Sequence, residues 1–299
     1  MLRIAVTGIA ADDLDRIGLR LHAAQVEHCD AFAPENPVCN SADALAFLHA
    51  DRSQIDGMEA AIRSGKHVLA VTTDGFPADS LDRLASLARE HHALLAIENP
   101  DHSLPSRRLI RQHIDSGKLG DVGLVRITRC QPAPATQTPD GSQVPSSLIG
   151  DLETATWIIG RSPDTAYAVR RSIAQPSGPS GDFLQVQLGF PFGGMALVSM
   201  STALPSGDAH HSLSVIASTG AAYSDEHQNR QLLFAGGPAS APVADEGDST
   251  AALLDEFAAA AQSPDEPNER LRSWQQLTRI VEAVERSLAT QQAVSLEGG

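Results

Sequence analysis

Aromatic residues are scarce in this chain, at 4% of 299 residues. A core of ordinary size must therefore be aliphatic and rich in alanine. Positive charge is also short. Lys and Arg number 22 against 37 Asp and Glu, for a net charge of -15 and a pI near 5.0. That balance argues against nucleic acid and against anionic membrane surfaces as partners. Cysteine is rare too: Cys29, Cys39 and Cys130 are odd in number and show no CxxC spacing. They suggest a reducing compartment and neither a disulfide framework nor a zinc site. No apolar run approaches the ~20 residues that span a bilayer. The opening Met1-Leu2-Arg3-Ile4-Ala5-Val6 reads as a strand without the layout of a signal peptide. The expectation is a soluble, cytoplasmic protein.

What is present supports a sizeable fold. Hydrophobic residues make up 42% of the chain, and the length suits two domains. The stretch from Gly65 to Thr73 organises the first of them. A helical run ends at Gly65, a usual C-terminal stop. A short β-rich run follows, then the turn signal Thr72-Thr73-Asp74-Gly75. In open α/β sheets, ligands sit at such strand ends. The chain opens in the same style. Leu2 to Val6 is a strand and Thr7 to Ala11 a tight turn. Asp12 or Asp13 caps a helix with Leu14, Ile17 and Leu21 on one face. A second strand ends near Asp30, 22 positions after Gly8. This is the layout of a dinucleotide-binding βαβ unit, with an acidic residue placed for the ribose.

Further strands are expected at Ala44–Leu48 and Leu94–Ile97, with helices over 79–92 and 105–116. Between Asp30 and Ala44 there is little room for a further layer. From Val122 onward the period shifts to two. Strands over 122–130, 167–173, 184–190, 195–202, 213–217 and 232–234 predict a mainly antiparallel sheet with one face covered by helices. Residues 131–146 read as a loop and 235–249 as a flexible connection. His210-His211 reads as part of an exposed polar loop. Helices over 251–262 and 269–290 close the chain, the second with Trp274 on its apolar stripe. The tail Ala293–Leu296 reads as a further edge strand.

Three motifs carry a resemblance. Gly65-Lys66-His67-Val68-Leu69 resembles the "GKHVLxEKP" segment of the glucose–fructose oxidoreductase / inositol dehydrogenase / MocA (Gfo/Idh/MocA) family. Ile114 to Thr128 is similar to that family's crossover between halves. Asp151 to Gly160, with Trp157-Ile158-Ile159-Gly160, resembles a helix of its second half. The resemblance implies an α/β fold: a Rossmann-type, doubly wound parallel sheet over 1–121, then an α+β domain with a mainly antiparallel sheet over 122–299. It implies an NAD(P)-dependent oxidoreductase of sugars or cyclitols that often dimerises through the sheet.

The same motifs depart from the family's chemistry. Thr72 stands where the family places its catalytic Lys. Registered on Trp157 and Gly160, the family's catalytic His falls on Gly150, its preceding Asp on Ser146 and its later Asp on Glu153. His49-Ala50 stands where the family has Thr-Pro, and Gln54 where it has His. Of the Gly-x-Gly-x-x-Gly/Ala pattern only Gly8 remains, with Ala10 and Asp13 at the other two positions. Asp12, Asp13 and Asp15 set negative charge where a phosphate would meet the helix N-terminus. The resemblance puts a dinucleotide on Gly8, Ile9, Ala10, Asp30, His49 and Thr72. Asp30 favours NAD over NADP; the acids allow that no dinucleotide binds. Removing a general base commonly costs ~10²–10⁴ in rate. The expectation is a non-catalytic or regulatory homologue, homo-oligomeric through its C-terminal sheet, with a sugar-like molecule or a protein as partner. The alternative is a working NAD(P)-dependent enzyme with divergent catalytic groups.

Overall fold

The computed structural model describes residues 1–30, 36–73, 75–132, 144–173, 181–191, 193–204, 208–225, 230–234, 249–262 and 269–296. The chain parts into two compact units. One holds Met1–Leu104 and Glu246–Thr278, the other Pro105–Asp245 and Arg279–Gly299. Residue 121 lies inside the second unit. The expected loop over 131–146 and connection over 235–249 fall largely on residues outside those described.

The first unit runs β1 (Leu2–Thr7), α1 (Ala11–Gly18), β2 (Ala24–His28), α2 (Pro37–Ser41), β3 (Ala44–Phe47), α3 (Ile55–Arg63), β4 (His67–Val71), α4 (Ala78–Glu90) and β5 (Leu95–Glu98). Its strands are parallel in the order β2-β1-β3-β4-β5. All four residues of β3 are buried, as in a sheet covered on both faces. The order is what a 3-2-1-4-5-6 sheet becomes when its edge strand is missing. In the shortened stretch before β3, the described residues hold only the five-residue α2.

Local chemistry explains most of these boundaries. After α3, Gly65 takes φ +74. Its N–H donates to Ile62 O at 2.8 Å, and Lys66 N–H to Ala61 O at 3.1 Å. This is the Schellman stop, which a residue without Cβ adopts at least cost. The start of α1 corrects the sequence reading. Ala10, not Asp12 or Asp13, is the N-cap, and no side chain caps the helix. Leu14 N–H already bonds Ala10 O at 3.0 Å, so both acids fall within the first turn. Leu21 lies beyond the helix end at Gly18.

The second unit contains α5 (Pro105–Asp115), β6 (Val122–Pro132), α6 (Ser146–Ile159), β7 (Thr165–Ile173), β8 (Gly181–Gly189), β9 (Met195–Leu204), β10 (His210–Ala217), β11 (Ala221–Asp225) and β12 (Arg230–Phe234). Beyond them come α7 (Ser249–Ala260), α8 (Glu269–Thr290) and β13 (Val294–Ser295). The eight-stranded sheet has the order β12-β11-β10-β6-β9-β8-β7-β13. Every neighbouring pair is antiparallel except β6 with β9. The expected mainly antiparallel sheet is therefore present. β11 was not anticipated, and the expected tail strand is the two-residue β13.

One sheet face is closed by α6 through Leu148, Leu152, Ala155 and Ile158, over Val125, Ile127, Val198 and Met200. The other face exposes Tyr167, Phe183, Met195, Ile216 and Tyr223. α7 completes the core of the first unit, where Leu254 and Phe257 pack with Ile4, Val6 and Leu69. Trp274 of α8 is buried there too, and its Nε1–H donates to Ile97 O at 3.0 Å.

Candidate functional site

In the first unit, the loops after β1, β2, β3 and β4 leave the same carboxyl edge of a parallel sheet. β1 and β3 are neighbours in it, which makes the gap beyond them the point where the strand order reverses and ligands bind. Gly8, Ile9 and Ala10 follow β1, Asp30 follows β2, His49 follows β3 and Thr72 follows β4. The structure thus gathers these six residues at one edge.

The contacts there are close. Gly8 has φ +86, and a Cβ on it would lie 3.3 Å from His49 N and Leu48 C. Leu48 N–H donates to Thr7 O at 2.9 Å. His28 Nε2 lies 2.9 Å from Ile9 O, and its Nδ1 lies 3.7 Å from an Asp30 carboxylate that is 99% exposed. Thr7 Oγ1 donates to Asp30 O at 3.4 Å. His49 is exposed. Thr72, by contrast, is buried, and its N–H donates to Glu98 O at 2.9 Å.

Against this frame a dinucleotide has a mixed fit. The Gly8 turn brings backbone close, and Asp30 offers an exposed carboxylate to a ribose hydroxyl. Asp12 and Asp13 lie exposed in the first turn of α1, Asp13 with Arg16 at 3.1 Å. Their charge already answers the positive end of the helix.

The remaining sequence-derived positions sit on α6 in the second unit. Ser146 is its first residue, half-buried, while Gly150 and Glu153 are buried along it. Beside them lies a polar cluster that sequence reasoning missed. Asp151, wholly buried, accepts from Arg129 Nε at 2.8 Å and from Arg129 Nη2 at 2.6 Å. The Asp151 carboxylate also lies 3.1 Å from His211 Nε2. His211 Nδ1 lies 3.4 Å from Arg107 Nη2, and Arg107 Nη1 donates to Ser224 Oγ at 2.7 Å. Arg107 and His211 are buried.

His210-His211 therefore opens β10 rather than lying in an exposed loop. The available signal was parity: His211, Leu213 and Val215 alternate toward the buried face. Burial pushes the Asp151 carboxyl up, but the hydrogen bonds from Arg129 and His211 outweigh it, and the net direction is down. His211 Nε2 also lies 3.2 Å from Arg129 Nη2, so both ring nitrogens have polar partners. The cluster clamps α5, α6, β6 and β10 together.

Comparison with known proteins bears on both units. The whole chain shares its fold with solved oxidoreductases. An oxidoreductase from Agrobacterium radiobacter in complex with NAD+, L-tartaric acid and magnesium superposes with TM-score 0.76 at 13% identity, covering 98% of each chain. UDP-N-acetylglucosamine 3-dehydrogenase from Acidithiobacillus ferrooxidans superposes with TM-score 0.73 at 18% identity, covering 97% of this chain and 98% of its own. Aldose-aldose oxidoreductase from Caulobacter crescentus, complexed with glycerol, gives TM-score 0.74 at 15% identity over 99% of both chains. No curated protein matches the sequence. The family model of the GFO/IDH/MocA C-terminal domain matches residues 108–223. This match places the second unit in the Gfo/Idh/MocA oxidoreductase family, as the motifs implied.

Proposed function

We propose that this chain is a non-catalytic member of that oxidoreductase family, keeping the frame and lacking the general base. The carrying observation is that Thr72 after β4 and Ser146 and Gly150 on α6 stand where the family places Lys, Asp and His, while the Asp151 carboxylate beside them is bound to Arg129 and His211. Thr72 is a buried hydroxyl residue, Gly150 has no side chain, and the nearby imidazole of His211 is held on both nitrogens. Neither the Thr72 hydroxyl nor Gly150 could take the hydroxyl proton that leaves with hydride transfer.

The β1–α1 turn and Asp30 support residual binding of NAD in preference to NADP, with Gly8, Ile9, Ala10 and His49 as the other contacts. The exposed apolar residues of the sheet support a second copy of the chain as partner, and a sugar-like molecule or another protein as further ligands. A cytoplasmic setting belongs to the same reading. Among the described residues no helix is long and apolar enough to cross a membrane.

The alternative is an NAD-dependent oxidoreductase of a sugar or cyclitol that takes its base from another group. The open carboxylate of Asp30 favours it. Titration with NAD(H) and NADP(H), followed by a turnover screen on sugars and cyclitols, separates the two. A ligand at 100 times its Kd adds about 2.7 kcal/mol to stability, which thermal shift detects. The proposal expects no turnover whether or not NAD binds. Turnover that is lost in Glu153→Gln or Asp151→Asn while the protein stays folded would overturn it.

A further inference from the structure

We propose that Cys29 and Cys39 are a reversible disulfide-forming pair at the end of β2. Their Sγ atoms lie 2.8 Å apart, although ten positions separate them in the chain. Both are buried, at 3% and 1% exposure. A disulfide needs a sulfur separation of about 2.05 Å, so closure asks less than about 1 Å of movement. The backbone holds both partners in place. Cys29 N–H donates to Val6 O at 2.8 Å, tying it to β1. Cys39 sits in the middle of α2. Asn36 links the two, since its Oδ1 accepts from Val38 N–H at 2.9 Å and its Nδ2 donates to Cys29 Sγ at 3.4 Å.

Access to the pair comes through α2. Five residues are too few for an independently stable helix, and such short elements open locally well below the cost of global unfolding. Burial selects a small oxidant, and hydrogen peroxide serves. One thiol loses its proton to water, and its thiolate attacks a peroxide oxygen. The O–O bond breaks, hydroxide leaves to become water, and the sulfur is now a sulfenic acid. The second thiolate attacks that sulfur and expels the oxygen as a second water after protonation. Two thiols and one peroxide thus give one disulfide and two waters, the sulfurs losing two electrons and the peroxide gaining them.

The cross-link would pin the residue next to Asp30. Any effect on NAD affinity rests on the reading of Asp30 given above; the thiol chemistry does not. Cys130 is an internal control. It lies in the second unit, is more exposed than either partner, and has its thiol pushed up first by burial and then by Asp208.

The test treats the folded, full-length protein with one equivalent of hydrogen peroxide, blocks remaining thiols by alkylation, and maps the peptides by mass. The expected product has one Cys29–Cys39 link, a mass about 2 Da lower before alkylation, and an alkylated Cys130. Dithiothreitol restores both thiols. Linking should run at least about tenfold faster in the folded protein than in urea, because the fold supplies the proximity. Cys29→Ser and Cys39→Ser should each abolish the link, but the wild-type peptide map decides the matter without them. Preferential oxidation of Cys130, or a Cys29–Cys39 link forming no faster in the folded protein, would overturn the proposal. A link in a protein that shows no NAD affinity supports it and counts only against the dinucleotide reading.

Discussion

Asp151 and Arg129 meet in a two-point ion pair, at 2.8 and 2.6 Å, with the carboxylate wholly buried between α6 and β6. Such a pair matters less for what it adds than for what its loss leaves behind. Asp151→Asn strands the Arg129 guanidinium and removes the anchor of His211, so it should cost about 3–5 kcal/mol. Urea unfolding, with the exposed Asp121→Asn as control, measures the difference. A loss below about 1 kcal/mol, the range of exposed pairs, would show that the clamp is not sealed from water.

The pH dependence should show two windows. Burial lowers the His67 imidazole from its ordinary 6.5, with Asp43 opposing. Its Nδ1 accepts from Leu94 N–H at 2.9 Å, a bond that only the neutral ring makes. The unfolded chain therefore takes up this proton first as pH falls. Stability is full above 6.5 and declines from there toward the lower folded value. The second window opens below the ordinary 3.8 of the aspartates. Asp151 and Asp182 are each raised by burial but lowered overall by their hydrogen bonds, and Asp43 is lowered chiefly by its bond from Arg3. Their stabilisation is present above 3.8 and is lost as pH falls through the folded values. Thermal midpoints of wild type and His67→Gln should therefore converge between pH 7.5 and pH 5, and parallel curves would contradict this account.

The elements that proved readable in the sequence are those whose causes are local. Gly65 stops α3, the four residues of β3 are uniformly apolar, and the alternation of Leu184, Val186 and Leu188 marks a sheet face. Features that need distant chain segments were not readable. Cys29 meets Cys39 only because β2 and α2 both anchor on β1. His211 looks like a loop residue beside Asp208, and only its parity with Leu213 and Val215 gives it away. The cap of α1 was misplaced because Asp12 and Asp13 are good caps by type, whereas Ala10 wins by its extended backbone and the bond to Leu14. Of the candidate dinucleotide residues, Gly8 and Asp30 follow from the βαβ spacing and the rest from the family resemblance, and the parallel sheet does bring their loops to one edge.

Gly8 should tolerate no side chain. At φ +86 an L-residue is strained, and the added methyl would press on the backbone of Leu48 and His49 at 3.3 Å, which cannot rotate away. Gly8→Ala should cost about 1–3 kcal/mol. Gly117→Ala is the comparison, since its φ of +72 is similar but its added Cβ meets nothing. A smaller loss at Gly117 than at Gly8 isolates the steric part, and equal losses would mean that the close approach of β1 and β3 is not rigid.

The open sheet face offers a test of self-association. Tyr223 and Tyr167 lie in one cross-strand row, running through Ser214, Arg126, Leu197 and Gln187. Both tyrosines are more than a third exposed. If a second copy covers this face, Tyr167→Asp with Tyr223→Asp should shift sedimentation from dimer to monomer with little change in far-UV circular dichroism. Charges buried in an interface are desolvated without a partner and commonly cost several kcal/mol. A wild-type monomer, or a dimer indifferent to both aspartates, would move the search to another surface.

Trp274 tests how α8 supports the candidate site. Its ring is 2% exposed, and its Nε1–H satisfies the carbonyl of Ile97, one residue before the Glu98 whose own carbonyl takes the Thr72 N–H. Two losses can be separated. Trp274→Phe keeps most of the apolar volume but orphans a buried carbonyl, at a cost of about 1–3 kcal/mol. Trp274→Ala adds a cavity and should cost about 3–5 kcal/mol. Both are measured by urea unfolding, with Trp157 as the remaining fluorophore. If Phe and Ala cost the same, the hydrogen bond rather than packing holds α8 to β5. If Phe costs nothing, the Ile97 carbonyl finds water, and the end of β5 is wetter than its burial indicates.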